Sequence, residues 1–200
     1  MKNFFYFLLG LQLLLTGCNS SQKHDMEKAY CNSNLDSIKV VYFKYRFFIY
    51  SKQAAKCSWQ TVMNIPNAKC QYTRSFVKDT MIRDCDQLKE IESELTRLHP
   101  QKGLPDSLDY LDARMAILVY KKNGIRDSIT VNDLALNTIY KNGIIQNKNN
   151  RLVYLIRKYT GYYSWFPKDE LQHAAELKDT TFTRDSIEIT LENNPLTEEL

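Results

Sequence analysis

The sequence predicts an α+β protein, an antiparallel sheet with two main helices on one side. Two segments, residues 84–98 and 149–159, carry an apolar stripe at helical spacing behind a capping side chain. Between them Asn123-Gly124 and Asn142-Gly143 each sit between apolar, β-branched runs, the strongest short signal for a hairpin. Residues 37–50 are mostly β-branched and aromatic. Helices set beside an antiparallel sheet define the class.

In chain order, residues 37–50 read as a long strand with one buried and one wetter face, Lys39, Lys44 and Arg46 falling partly on alternate positions. Asn64, Pro66 and Asn67 mark residues 51–69 as a loop, and residues 70–77 read as a second strand. Helix 84–98 has Asp84 and Gln87 at capping-box spacing. Leu88, Ile91, Leu95 and Leu98 form its stripe, with Cys85 on the apolar side and Glu90, Glu92 and Glu94 on a solvated face. Pro100, Gly103 and Pro105 end it. Residues 111–120 alternate, with Ala113, Met115, Ile117 and Val119 on one side, and residues 125–131 return after Lys122-Asn123-Gly124. Residues 139–145 repeat the device. The shared Tyr-Lys-(Lys)-Asn-Gly-Ile wording is a repeated hairpin tip, too short to establish a duplication. Asn149 and Asn150 open a helix through Tyr159, with a stripe of Leu152, Leu155, Ile156, Tyr159 and Tyr163. A short helix at 169–177, a strand-like 186–191 and an acidic tail at 193–200 complete the chain.

The N-terminus carries an address. Lys2 precedes an apolar run of about a dozen residues, short of the ~20 that span a bilayer. The run ends in Leu15-Thr16-Gly17-Cys18. This tetrapeptide resembles the lipobox of bacterial lipoproteins, and the Lys-, Asn-, Ile- and Tyr-rich tone resembles lipoproteins of the Bacteroidota. The resemblance covers the first eighteen residues. It implies that Cys18 receives lipid on its sulfur, that residues 1–17 are removed as signal, and that the chain is tethered to a bilayer of the cell envelope. Asn19 is not the Asp that favours inner-membrane retention in enterobacterial lipoproteins, which points to the outer membrane. Residues 18–35 then read as lipidated Cys plus flexible tether, and 36–192 as a single domain.

With Cys18 lipidated, Cys31, Cys57, Cys70 and Cys85 remain. An even number in an exported chain reads as two disulfides, with three pairings open. Cys57 and Cys70 flank the loop between the first two strands, so their bridging would leave Cys31 to meet Cys85. Buried free thiols are the bland alternative. Zinc is disfavoured because no C-x₂-C pair occurs, so neither metal nor cofactor is expected.

Charge is unevenly laid out. Residues 37–78 hold eight Lys or Arg and no acid, and residues 134–168 six and none. Residues 79–112 hold nine acids against four bases, and 169–200 nine against two. If Lys39, Lys44, Arg46, Arg151 and Lys158 share a surface, it would steer an acidic protein or a phosphate-bearing glycan. Arg151 and Lys158 lie off the second helix's stripe and should face solvent. The competing outcome is neutralisation of the basic strands by the acidic helices.

Nucleotide-loop, dinucleotide, nucleophile-elbow and zinc-protease motifs are absent. His24, His99 and His173 are scattered and read as solvated or helix-terminal, and Glu90 with Glu94 as a solvated pair rather than glycosidase carboxylates. The cluster Tyr162-Tyr163-Ser164-Trp165-Phe166 reads as core packing before sugar stacking. The helix–strands–helix order is similar to that of double-stranded-RNA-binding modules, but an exported chain meets no RNA, so no nucleic-acid partner is expected. The leading expectation is a non-enzymatic, lipid-anchored envelope protein with a binding or structural role. Its rivals are an inhibitor or immunity-type lipoprotein, and an envelope hydrolase.

Overall fold

In the computed structural model residues 31–43, 59–64, 77–102, 113–132, 134–166 and 168–185 are described. Six strands lie among them: β1 (Leu35–Phe43), β2 (Val77–Ile82), β3 (Ala113–Lys121), β4 (Arg126–Asn132), β5 (Ile139–Lys141) and β6 (Ile144–Ile145). They form one antiparallel sheet in the order β2-β1-β3-β4-β5-β6. The helical segments are α1 (Trp59–Asn64), α2 (Cys85–Leu95), α3 (Asn150–Tyr159), α4 (Tyr162–Trp165), α5 (Lys168–Leu171) and α6 (Ala175–Lys178).

Alternation along the strands divides the core in two. Ile38, Val40 and Tyr42 of β1 join Met115, Ile117 and Val119 of β3, and Ile129 and Val131 of β4, under Leu88 and Ile91 of α2 and Leu152 and Ile156 of α3. Both main helices therefore cover one face, and the α+β reading holds. Val41, Phe43, Ala113 and Ala116 point the other way, onto Val62 and Met63 of α1. Each fully buried Leu or Ile contributes about 1.5–3 kcal/mol, so the larger cluster dominates stability.

Both Asn-Gly hairpins form. Lys121 N donates to Ile125 O and Gly124 N to Lys121 O, with Gly124 at φ +81°. The second loop has Asn142 at φ +51° and Gly143 at φ +83° between β5 and β6, the two positive φ values a type I′ turn demands.

Several sequence readings are corrected. The first strand starts at Leu35; residues 44–50 lie outside the described residues. The second described strand, Val77–Ile82, meets the expected strand 70–77 at Val77 and runs beyond it; residues 70–76 lie outside the described residues. It is an outer strand with polar residues on both faces, where alternation is weak. The expected loop at 51–69 contains α1. Ala113 belongs to the smaller core because the register shifts between Ala113 and Met115, and one extra residue exchanges the faces. The helix expected at 169–177 is broken into α5 and α6, with Ala174 extended (φ −64°, ψ 118°). Residues 186–200 lie outside the described residues.

Candidate functional site

The most concentrated chemistry lies beneath α3. This helix is capped by Asn149, whose Oδ1 accepts from Leu152 N at 2.9 Å. Beyond its apolar stripe it buries Arg157, which is 2% exposed. Burying a guanidinium requires a partner, and α6 supplies one. Arg157 Nη1 donates to Glu176 Oε1 at 2.5 Å, and Glu176 is wholly buried. Tyr163 Oη donates to the same oxygen at 2.9 Å, and Asn137 Nδ2 to Glu176 Oε2 at 2.7 Å. Asn137 Nδ2 also reaches Asn150 Oδ1 at 3.3 Å, and Asn150 Nδ2 donates to Asp179 Oδ2 at 2.7 Å. The guanidinium lies 4.7 Å from the Tyr162 ring centroid. Arg157 Nε and Asn137 Oδ1 have no partner among the described residues.

Burial alone would raise the Glu176 carboxyl, but the adjacent Arg157 cation and the Asn137 hydrogen bond hold it below its ordinary value. Burial would lower Arg157, yet Tyr162 and Glu176 push it above its ordinary value. Burial, reinforced by Glu176, raises the Tyr163 phenol. Each group is fixed in the protonation state its partner needs. That suits a clamp holding residues 168–185 onto α3 better than a proton-transfer site.

The carboxylates of α2 make a second set of struts. Asp84 Oδ1 accepts from Gln87 N at 3.0 Å, which caps the helix. Glu92 accepts from Ser33 Oγ at 2.8 Å and from Asn34 Nδ2 at 2.9 Å. Burial would raise its carboxyl, but these bonds lower it. Glu94 is 3% exposed, not solvated as its position off the stripe suggested. It accepts from Asn149 Nδ2 at 3.1 Å and pairs with Arg97 at 3.2 Å and Arg151 at 3.4 Å. Glu90 accepts from Tyr159 Oη. Glu90 and Glu94 thus serve different partners.

The expected basic surface is not assembled from its described members. Lys39 lies on the α1 face of the sheet and pairs with Asp79 at 3.1 Å. Arg151 pairs with Glu94 and Lys158 with Asp185, both on α3 above the opposite face. Lys44 and Arg46 lie outside the described residues. Cys31 and Cys85 form a disulfide; Cys18, Cys57 and Cys70 lie outside the described residues. His99 and His173 are exposed, His99 Nδ1 lying 3.1 Å from Arg97 O. Tyr162 stacks on Phe166 at 4.1 Å, and both pack against Tyr42, whose Oη donates to Thr160 O at 2.9 Å, so the aromatic cluster is core. Among the described residues no group of His, Cys, Asp or Glu is placed to hold a metal, and no helix is long and apolar enough to cross a membrane.

No protein-family model, curated protein or solved structure matches this chain. Its site must be read from its own geometry. Sequence reasoning missed Glu176, Asn137 and the burial of Arg157. Glu176 carried one signal, its place among Ala174, Ala175 and Leu177. Asn137, at φ +52°, carried none.

Proposed function

We propose that this chain is a lipid-anchored protein of the bacterial envelope, held in the outer membrane through Cys18, whose folded unit is a non-enzymatic binding or structural module. The observation that carries the reading is Leu15-Thr16-Gly17-Cys18 at the end of a short apolar run behind Lys2. The Cys31–Cys85 disulfide supports it, since structural disulfides belong to oxidising compartments. The use of ionisable side chains supports the non-enzymatic part. Glu92, Glu94, Glu176 and Arg157 each hold one element against another, so their charges are committed to the fold. Because Lys39, Arg151 and Lys158 are paired and dispersed, the proposal does not depend on an acidic partner drawn to those three.

The test is metabolic labelling with a fatty-acid analogue. The wild-type chain should take up label and lose its first seventeen residues, and Cys18→Ser should do neither. Label retained by Cys18→Ser would sink the anchor.

A further inference from the structure

Lys122-Asn123-Gly124-Ile125 and Lys141-Asn142-Gly143-Ile144 are the same four residues in the same order, yet the structure handles them differently. An asparagine followed by glycine has a chemistry of its own. Glycine has no side chain to shield its amide nitrogen, and that nitrogen can attack the asparagine's side-chain carbonyl. The N–Cγ bond forms, the Cγ–Nδ2 bond breaks, and the side-chain amide leaves as ammonia with the proton of the glycine amide. Water then opens the cyclic imide at either carbonyl, giving aspartate or, with the backbone rerouted through Cγ, isoaspartate. The net change exchanges an amide for a carboxylic acid and needs only solvent water. Both sites have Lys before and Gly-Ile after, so a difference in rate between them must come from the fold.

At the first tip the side chain is turned onto its own loop. Asn123 Oδ1 accepts from Ile125 N at 3.1 Å, an Asx turn that folds Cγ toward the intervening Gly124 amide. That donor already lies on the oxygen that gains charge as the nitrogen attacks. Beyond its chain neighbours, nothing among the described residues lies within 4 Å of where a Cβ on Gly124 would stand. Gly124 N must first leave Lys121 O, a bond of 3.0 Å at an exposed tip, where local opening costs little. At the second tip the side chain is turned away. Asn142 Oδ1 accepts from Ser128 N at 2.8 Å and from Ser128 Oγ at 3.3 Å, and Asn142 N donates to Ser128 O at 2.8 Å. Its Nδ2, the group that would leave, donates to Asp127 Oδ1 at 2.9 Å, while Asp127 Oδ2 pairs with Lys121 at 2.8 Å. Ser128 and Asp127 both stand on β4, so Cγ of Asn142 is held across the strands and not over Gly143.

We propose that Asn123 is a site of self-modification, where the chain slowly acquires an aspartate or isoaspartate on its first hairpin tip, and that β4 keeps Asn142 as the amide. The inference is independent of the lipid anchor. The two positions also differ in what a carboxylate would do. At Asn123 it would still accept from Ile125 N, so the turn is retained. At Asn142 it would lose the Nδ2 donor and set a second negative charge against Asp127, which is 9% exposed.

The experiment incubates the full chain at neutral pH in water enriched in the heavy oxygen isotope, once folded and once in urea, and locates the incorporated label by peptide mass spectrometry. In the folded chain Asn123 should convert about tenfold faster than Asn142, the factor that one or two net hydrogen bonds supply. In urea the two rates should agree. Equal rates in the folded chain, faster conversion at Asn142, or a difference that survives in urea would each overturn the proposal. So would a folded chain in which Asn123 stays unconverted while the unfolded chain reacts there. Two substitutions read the same contrast through stability. Asn123→Asp should leave the urea midpoint unchanged, and Asn142→Asp should lower it. An unchanged midpoint in Asn142→Asp would overturn the hold of β4 on that side chain, and a lowered one in Asn123→Asp would overturn the open first tip.

Discussion

Helices α2 and α3 lie on the same face of the sheet and touch each other, yet they are built by opposite rules. On α2 the apolar residues Leu88, Ile91 and Leu95 face inward while most of its polar surface stays wet, and the carboxylates that leave solvent reach sideways to neighbours. On α3 nearly every turn is buried, including Asn150 and Arg157. The first helix is stabilised mainly by one stripe; the second depends on partners brought from elsewhere in the chain. The contrast teaches where this fold is fragile. Loss of Ser33 or Asn34 leaves the half-buried Glu92 to water, whereas loss of Glu176 strands a cation in a dry interior.

The largest expected effect therefore comes from Glu176→Ala, which should cost about 3–5 kcal/mol in urea unfolding because Arg157 is left buried and unpaired. Replacing both members together, Arg157→Met with Glu176→Leu, should recover most of that loss. A cost for Glu176→Ala no greater than that of a surface change would erase the contrast between the helices.

Next comes the disulfide at the start of α2. Converting Cys31 and Cys85 together to Ser should cost up to about 4 kcal/mol, the chain-entropy figure for a loop of this length. An unchanged denaturation midpoint under reducing conditions would show that the bridge adds nothing.

The two N-caps then give a matched pair. Asp84→Ala removes only a cap and should cost about 1 kcal/mol. Asn149→Ala removes a cap and a donor to buried Glu94, so it should cost about 2–3 kcal/mol. Equal costs would mean that Glu94 does not need Asn149.

Acid should sharpen the comparison further. Glu92, Asp127 and Glu176 all have carboxyls held below their ordinary values, 4.5 for Glu and 3.8 for Asp. A depressed folded value gives stability that is fully present above the unfolded pKa and lost as pH falls through the folded one. Stability should thus be flat near neutrality and fall below about pH 4.5. Glu92→Gln should make that fall shallower. The smallest effect belongs to Lys158→Ala, within about 0.5 kcal/mol, since its Asp185 partner is exposed.

Legibility followed the same division. Helix α2 was readable because its cap, stripe and stop are all local, and the hairpins were readable because Asn-Gly dictates its own turn. Arg157 could not be placed because its partner lies nineteen residues away on a segment with no strong period. Glu94 read as solvated since helical spacing shows the side of the axis a residue takes, not what a second helix lays over it. The run of β2 beyond Val77 was not foreseen because Lys78, Asp79 and Thr80 break the alternation of an outer strand, and α1 is too short at six residues for a stripe to emerge. The expected positive surface came from counting charges along the chain, which cannot show that Lys39 and Arg151 end on opposite sides of the sheet.

The short bridge between Pro100 and Gln146 has a consequence for crowding. It lies along the outer side of β6, where Gln101 N also donates to Ile145 O. Proline has no amide hydrogen to offer a further strand. At Pro100 that margin therefore offers a neighbouring copy no backbone donor with which to join the two sheets.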